Sequence, residues 1–254
     1  MENIKTAIIT GATSGIGEAT AYQLASEGWR LILTGRRKER LETLNDSLKA
    51  KYGIETLLLD FDVRSEQETM KQLTNLPEKW RNIDLLINNA GLASGLEPIQ
   101  DGDFEDWNKM IDTNIKGLLY VTKAIAPLMI AAKKGHIVNI GSIAGKQVYP
   151  NGAVYCASKH AVDALSQGMR LDLLPYGIKV SQVLPGAVET EFSQVRFHGD
   201  KERAKNVYNG FQPLTGEDIA NVISYIVNLP PHVCINEILV MPTAQASAHM
   251  TYRQ

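Results

Sequence analysis

The 254-residue sequence has little cysteine, no excess of either charge and no long unbroken apolar run, and each shortage removes a class of protein. Two cysteines, Cys156 and Cys234, are too few for a disulfide framework and lack the paired spacing of a zinc site, so free thiols and no metal are expected. The 26 Lys and Arg against 28 Asp and Glu leave a formal charge of -2, which gives no global field for nucleic acid or an anionic membrane. The longest nearly unbroken apolar stretch, 124–132, contains Pro127 and falls well short of the roughly 18 residues that suggest a membrane span. A strand-like run begins at Thr6, leaving no room for a secretory leader, and the expectation is a soluble cytoplasmic protein. No repeat or low-complexity segment is evident, and Asn45-Asp46-Ser47 reads as a chance glycosylation match on a helix.

What is present has the balance of an ordinary globular protein, 44% hydrophobic and 21% charged, at a length that one α/β domain can fill. Apolar runs of strand length at 6–10, 30–34, 55–59, 85–88, 136–140, 179–184 and 237–240 alternate with helical periods at 15–27, 38–51, 65–76, 104–133, 153–175 and 217–228. This alternation predicts a single-domain, doubly wound (Rossmann) parallel sheet of seven strands with helices on both faces. The stretch 189–215 breaks the rhythm and reads as a substrate lid over the crevice, the plainer alternative being a solvated insertion.

The first strand runs into Thr10, Gly11, Ala12, Thr13, Ser14, Gly15, Ile16 and Gly17, after which a helix begins. Three glycines there allow a tight turn, close approach of backbone to a diphosphate and helix–sheet packing, with the anion on the helix N-terminus. About 20 residues further on, an acidic residue would grip a ribose 2′-hydroxyl. That acid is missing: the second strand ends in Thr34, Gly35, Arg36 and Arg37, so two guanidiniums face a 2′-phosphate and NADP is favoured over NAD. Asp62 and Val63 follow the third strand within reach of an adenine edge, and Asn88, Asn89, Ala90 and Gly91 end the fourth where a dinucleotide would cross the sheet. Taken singly, each of these is also a common turn or cap residue.

At the chemical end, Tyr155 and Lys159 are one helical turn apart and share a face, a spacing that carries little by itself. Its context is Ser142, just beyond the strand 136–140 at the same crevice edge, and Asn114 in the helix from Phe104, able to tie a backbone carbonyl or a water to the lysine. A neighbouring ammonium would bring the phenol toward a range useful for proton exchange with an alcohol, and Ser142 would bond the reacting oxygen.

With these residues the whole chain resembles the short-chain dehydrogenase/reductase family: Thr10 to Gly17, Asn88 to Gly91, Asn114, Ser142, Tyr155 to Lys159, and Pro185, Gly186, Val188 and Thr190 all follow its pattern. The resemblance implies Tyr155 as general acid/base, Lys159 as pKa-lowering cation and nicotinamide-ribose ligand, and Ser142 as substrate orienter. It also implies Asn114 in a proton relay, the Pro185–Thr190 turn around the nicotinamide amide, and a homotetramer packed through the helices at 104–133 and 153–175. A narrower likeness, to the NADP-dependent serine/allo-threonine (3-hydroxy acid) dehydrogenases, rests on Thr34 to Arg37, Asn88 to Ala93, Thr190 to Ser193 with Val195 to Phe197, and Met241 to Gln245. A small acid substrate needs a cation, for which Arg196 is the first candidate and Arg253 the second. Two alternatives stay open: a reductase of 3-oxoacyl thioesters or bulky carbonyls, and a non-catalytic NADP-binding regulator.

Overall fold

The computed structural model describes residues 4–254. Seven parallel strands form one sheet in the order β3-β2-β1-β4-β5-β6-β7: β1 Thr6–Ile9, β2 Arg30–Gly35, β3 Thr56–Asp60, β4 Leu85–Asn88, β5 Gly135–Ile140, β6 Ile178–Pro185 and β7 Glu237–Val240. Each lies within a residue of its position in the periodicity; the inner strands have no polar face to solvate and are covered on both sides, while the edge strands β3 and β7 stay partly exposed. Side-chain alternation splits them cleanly. Ala7, Ile9, Leu31, Leu33, Leu85, Ile87, Val138 and Val183 pack beneath α1 Gly15–Ser26, α2 Lys38–Tyr52 and α9 Gly216–Val227. Ile8, Ile32, Leu86, Ile137 and Val180 pack beneath α3 Glu66–Thr74, α5 Leu118–Ala132 and α6 Ala153–Leu173. Fully burying each of the Ile, Leu and Val side chains contributes about 1.5–3 kcal/mol, so the two layers hold the fold.

The strand order reverses between β1 and β4, and this switch point opens the crevice outside the carboxyl ends of the strands. Thr10 locks the two sides together. Its hydroxyl donates to the Ile87 carbonyl at 3.2 Å and accepts the N–H groups of Asn89 and Ala90, both at 3.0 Å.

The expected single helix over 104–133 is a relay: α4 Phe104–Ile111, a wider π-helical turn Asp112–Gly117, then α5. One register shift within an otherwise helical sequence leaves the apolar period almost intact, which is why the pattern does not reveal it. The 29-residue stretch Phe104–Ala132 is long and apolar enough to cross a membrane by length and composition, beyond the 124–132 run considered from sequence. Here it lies along the sheet, burying Leu118, Val121, Ile125 and Met129. Asn45 is engaged within α2 by Thr56 and Asp46.

The stretch 189–215 contains two short helices, α7 Phe192–Arg196 and α8 Lys201–Asn206. Its ends are pinned where Glu189 donates to the Leu214 carbonyl at 2.8 Å and Leu214 to Ala187 at 2.9 Å.

Candidate active site

At the turn from β1 into α1, Gly11 and Gly15 have φ of +65° and +56°, a left-handed backbone that side chains disfavour. Gly17 answers a different demand: a Cβ there would lie 2.4 Å from both the Gly11 carbonyl oxygen and Asn89 Nδ2. The N-terminus of α1 receives no side-chain cap, whereas Ser65, Asp103 and Thr215 cap theirs, so its first N–H groups remain available to an anion.

From this turn the cleft runs across the sheet edge with a volume of about 310 Å3. Its wall includes Gly11, Thr13, Ser14, Gly15 and Ile16 at one end and Ser142, Tyr155 and Lys159 at the other. Arg36, Arg37, Asp62, Val63, Asn89, Ala90, Gly91, Pro185, Gly186, Val188 and Thr190 line it as well. Thr34 and Thr113 also line it, and each has a buried hydroxyl without a partner, spare polar capacity beside the cleft. The cradle, the uncapped helix and these hydroxyls fit a dinucleotide.

Five predicted residues do not form the wall, Arg196 among them. Ala12 is fully buried, its N–H donating to Thr34 at 3.0 Å, and Gly17 lies beneath the loop. Asn88 turns away, donating to Thr122 Oγ1 at 3.0 Å and Asn139 Oδ1 at 2.9 Å, and so ties β4 to β5 and α5 behind the cleft. Asn114, in the π-helical turn, grips Leu92: it donates to the Leu92 carbonyl at 2.8 Å and accepts the Leu92 N–H at 2.9 Å, with a further bond to Ser158 at 3.0 Å. It fixes the backbone beyond Gly91 rather than touching the lysine, although Gly91 has both Asn114 Oδ1 and Lys159 Nζ close by.

Lys159 is buried and donates to the Ile140 carbonyl at 2.8 Å, so its ammonium is held at the end of β5; burial pulls its pKa down to about 8. The expected lowering of Tyr155 by Lys159 is corrected here. Burial pushes the Tyr155 phenol far up, aided by Tyr149, while Arg196 and Ser142 pull the other way. Lys159 faces a carbonyl, and the cation over the phenol ring is Arg196, 5.0 Å from its centroid. Ser142 accepts from the Ala144 N–H at 3.1 Å and so presents its hydroxyl at the mouth of β5.

Arg196 is the residue that sequence reading placed only loosely. Its guanidinium sits against the rings of Tyr149, Tyr155 and Phe192, donates to the Tyr149 hydroxyl at 2.6 Å, and keeps a buried Nε without a partner. Among the described residues, no carboxylate lies within salt-bridge distance of it. It stands behind Phe192 and Tyr155 rather than in the cleft wall. Arg253 is consumed elsewhere, donating to the backbone carbonyls of Asn209 and Val207 and stacking on Phe211, which removes it as an anion ligand. Tyr149 carried no sequence signal and Phe192 only its place in the Thr190 to Ser193 stretch, since aromatic residues at unremarkable spacing do not announce a shared cluster.

The short chain dehydrogenase family model matches residues 5–201. The chain is 47% identical to sulfoacetaldehyde reductase 2 of Chromohalobacter salexigens, over 94% of each protein. It is 44% identical to an NADP-dependent 3-hydroxy acid dehydrogenase of Salmonella typhi, over 96% of this chain and 97% of the other. Among solved structures, the closed form of a serine dehydrogenase complexed with NADP+ has a TM-score of 0.91 at 42% identity, covering 98% of this chain and 99% of that one.

Proposed function

The chain belongs to the short chain dehydrogenase family, and on that footing we propose that it is an NADP-dependent oxidoreductase interconverting a small 3-hydroxy acid of the serine, allo-threonine or 3-hydroxypropionate type and its carbonyl form. The observation that carries the substrate class is Arg196: a guanidinium with no carboxylate partner, pressed against the ring of Tyr155, is a counter-ion for a small anion whose hydroxyl sits at the phenol. A thioester substrate has no use for that charge. The sulfoacetaldehyde reductase relative supports a second reading, because a sulfonate meets the same guanidinium as a carboxylate does.

The nicotinamide, when bound, supplies or accepts the hydride; the protein handles the rest. In reduction, Tyr155, protonated because it is buried, donates its phenolic proton to the carbonyl oxygen, and Ser142 hydrogen-bonds that same oxygen. Lys159 holds positive charge beneath the ribose side of the cleft, and Asn114 fixes the backbone at Leu92 as a positioning residue. Gly11, Thr13, Ser14, Gly15 and Ile16 would cradle the diphosphate, with Ala12 and Gly17 shaping the turn beneath them, and Asp62, Val63 and Asn89 to Gly91 would hold the adenosine side and Pro185, Gly186, Val188 and Thr190 the nicotinamide side. Arg36 and Arg37 receive the 2′-phosphate. The 189–215 excursion serves as the lid, its movement bringing Arg196 to the substrate. Exposed Phe104 and Leu119 along 104–132 and Leu171 on α6 support self-association through these helices, as in the expected homotetramer.

Two measurements test this. Steady-state assays with a panel of 3-hydroxy acids, a hydroxysulfonate and 3-oxo thioesters should give turnover on the small anions, and Arg196→Ala should raise their KM about tenfold while leaving a neutral alcohol of similar size unaffected. An unchanged KM for the acids removes Arg196 from the site. Arg36→Asp combined with Arg37→Leu should cut the preference for NADP over NAD about thirtyfold, read as the ratio of kcat/KM values. Unaltered selectivity in that double variant refutes the assignment of these two arginines.

A further inference from the structure

The two ends of the cleft are joined by one carboxylate. Glu191, the residue that opens α7, reaches back across the diphosphate turn and bridges two arginines, with Arg37 at 2.8 Å and Arg40 at 2.6 Å. The guanidinium of Arg37 is simultaneously held by Ser14 Oγ at 2.9 Å and Thr13 Oγ1 at 3.0 Å, so it is aimed at the cleft mouth by the diphosphate turn itself. Next to Glu191, Thr190 rests on that turn: a Cβ on Gly15 would lie 3.0 Å from Thr190 Cγ2. The 191 carboxylate therefore stands where an anion paired with Arg37 belongs, and it is carried by the segment that also bears Phe192 and Arg196.

The inference rests on the NADP reading above. We propose that Glu191 is a latch competing with the cofactor's 2′-phosphate for Arg37, so that arrival of the phosphate releases the start of the 189–215 lid and couples recognition at the adenosine end to movement of Phe192 and Arg196 at the chemical end. The charge count supports the competition. Arg37 and Arg40 share the single carboxylate of Glu191, with Glu18 also within their electrostatic reach, so the arginine pair is already largely neutralised. A phosphate dianion entering beside Arg37 meets Glu191 as a like charge and outcompetes it by charge and by oxygen count. All three side chains of the bridge are between a third and a half exposed, so the latch is weak enough to open. The lid is held independently on both sides of this stretch, at its ends by Glu189 donating to the Leu214 carbonyl at 2.8 Å and in its middle by Gly95 donating to the Arg196 carbonyl at 2.9 Å and by His198 against Asp106 at 3.0 Å. Releasing Glu191 therefore frees the stretch 190–195 with Phe192 and lets the Arg196 side chain follow about a held backbone.

Two half-ligands separate the latch from catalysis. Adenosine 2′,5′-bisphosphate carries the 2′-phosphate without a nicotinamide, and adenosine 5′-monophosphate lacks both. In the wild-type protein, amide hydrogen exchange of the peptide spanning 188–199 should speed up severalfold with the bisphosphate and stay unchanged with the monophosphate. In Glu191→Gln the same peptide should exchange at the faster rate without any ligand, and the bisphosphate should add nothing. Direct titration should show NADPH binding about fivefold tighter to Glu191→Gln than to wild type, with NADH unchanged within twofold. Exchange insensitive to the bisphosphate in the wild type, or weaker NADPH binding in the variant, overturns the latch. A wild-type protein that binds NADH as tightly as NADPH overturns the cofactor reading and the latch together, whereas a preserved NADPH preference with unmoved exchange overturns the latch alone.

Discussion

Tyr155→Phe is expected to lower kcat by about 10³- to 10⁴-fold with little change in KM or in thermal stability. The substitution deletes one hydroxyl and keeps the ring, whose edge-on packing against Phe192 at 5.6 Å and contact with Arg196 at 5.0 Å do not involve the oxygen. Burial keeps the phenol protonated well above neutral pH, and this fixes the expected pH behaviour. Reduction needs the protonated form and should stay level through the neutral range; oxidation needs the phenolate and should accelerate as pH rises. Rates measured in both directions over a pH series by cofactor absorbance check the sign, and a Phe variant with more than about a tenth of wild-type kcat excludes Tyr155 as the proton donor.

Lys159→Met is expected to reduce kcat/KM by about 10²- to 10³-fold and, separately, to change the pH dependence of stability. The lysine is buried and its pKa falls from 10.5 in the open chain to about 8 in the fold. Below pH 8 both states carry the proton and the full cost of burying the charge is present. Between 8 and 10.5 the unfolded chain binds the proton that the folded one has released, so stability rises with pH. Wild type should therefore gain on the methionine variant by up to about 3 kcal/mol across that window, and the gap should be flat below it. Denaturant unfolding of both proteins at a series of pH values reads this directly. A gap that stays constant from neutral pH to 10.5 means that the ammonium is not held in a dry site.

Most of the fold was legible because a buried parallel strand must be apolar on both faces, and Thr6–Ile9, Leu85–Asn88 and most of Ile178–Pro185 announce themselves by that alone. The turn from β1 into α1 was legible because glycine at a left-handed backbone position is a local requirement, met at Gly11 and Gly15 without reference to the rest of the chain. The π-helical turn at Asp112–Gly117 was not, since the apolar stripe survives the shift of register. Nor was the direction in which Asn88 points: a strand-end asparagine faces either the cleft or the sheet interior, and only Thr122 and Asn139, 34 and 51 residues away in sequence, decide it.

The sequence by itself determined the strands and helices of the sheet, the glycine turn after β1, and the presence of Arg36 and Arg37 with no acid where β2 ends, because each depends on neighbours within a turn or two of chain. Tertiary structure alone decided how those groups are used. It turned Lys159 to the Ile140 carbonyl, set Arg196 against Tyr155, removed Arg253 to the backbone at 207–209, and put Glu191 on Arg37 across 154 residues of chain. The physical reason is that a long charged side chain reaches several ångströms in any direction, and its partner is chosen by which segments the sheet brings together, a quantity that no local spacing encodes.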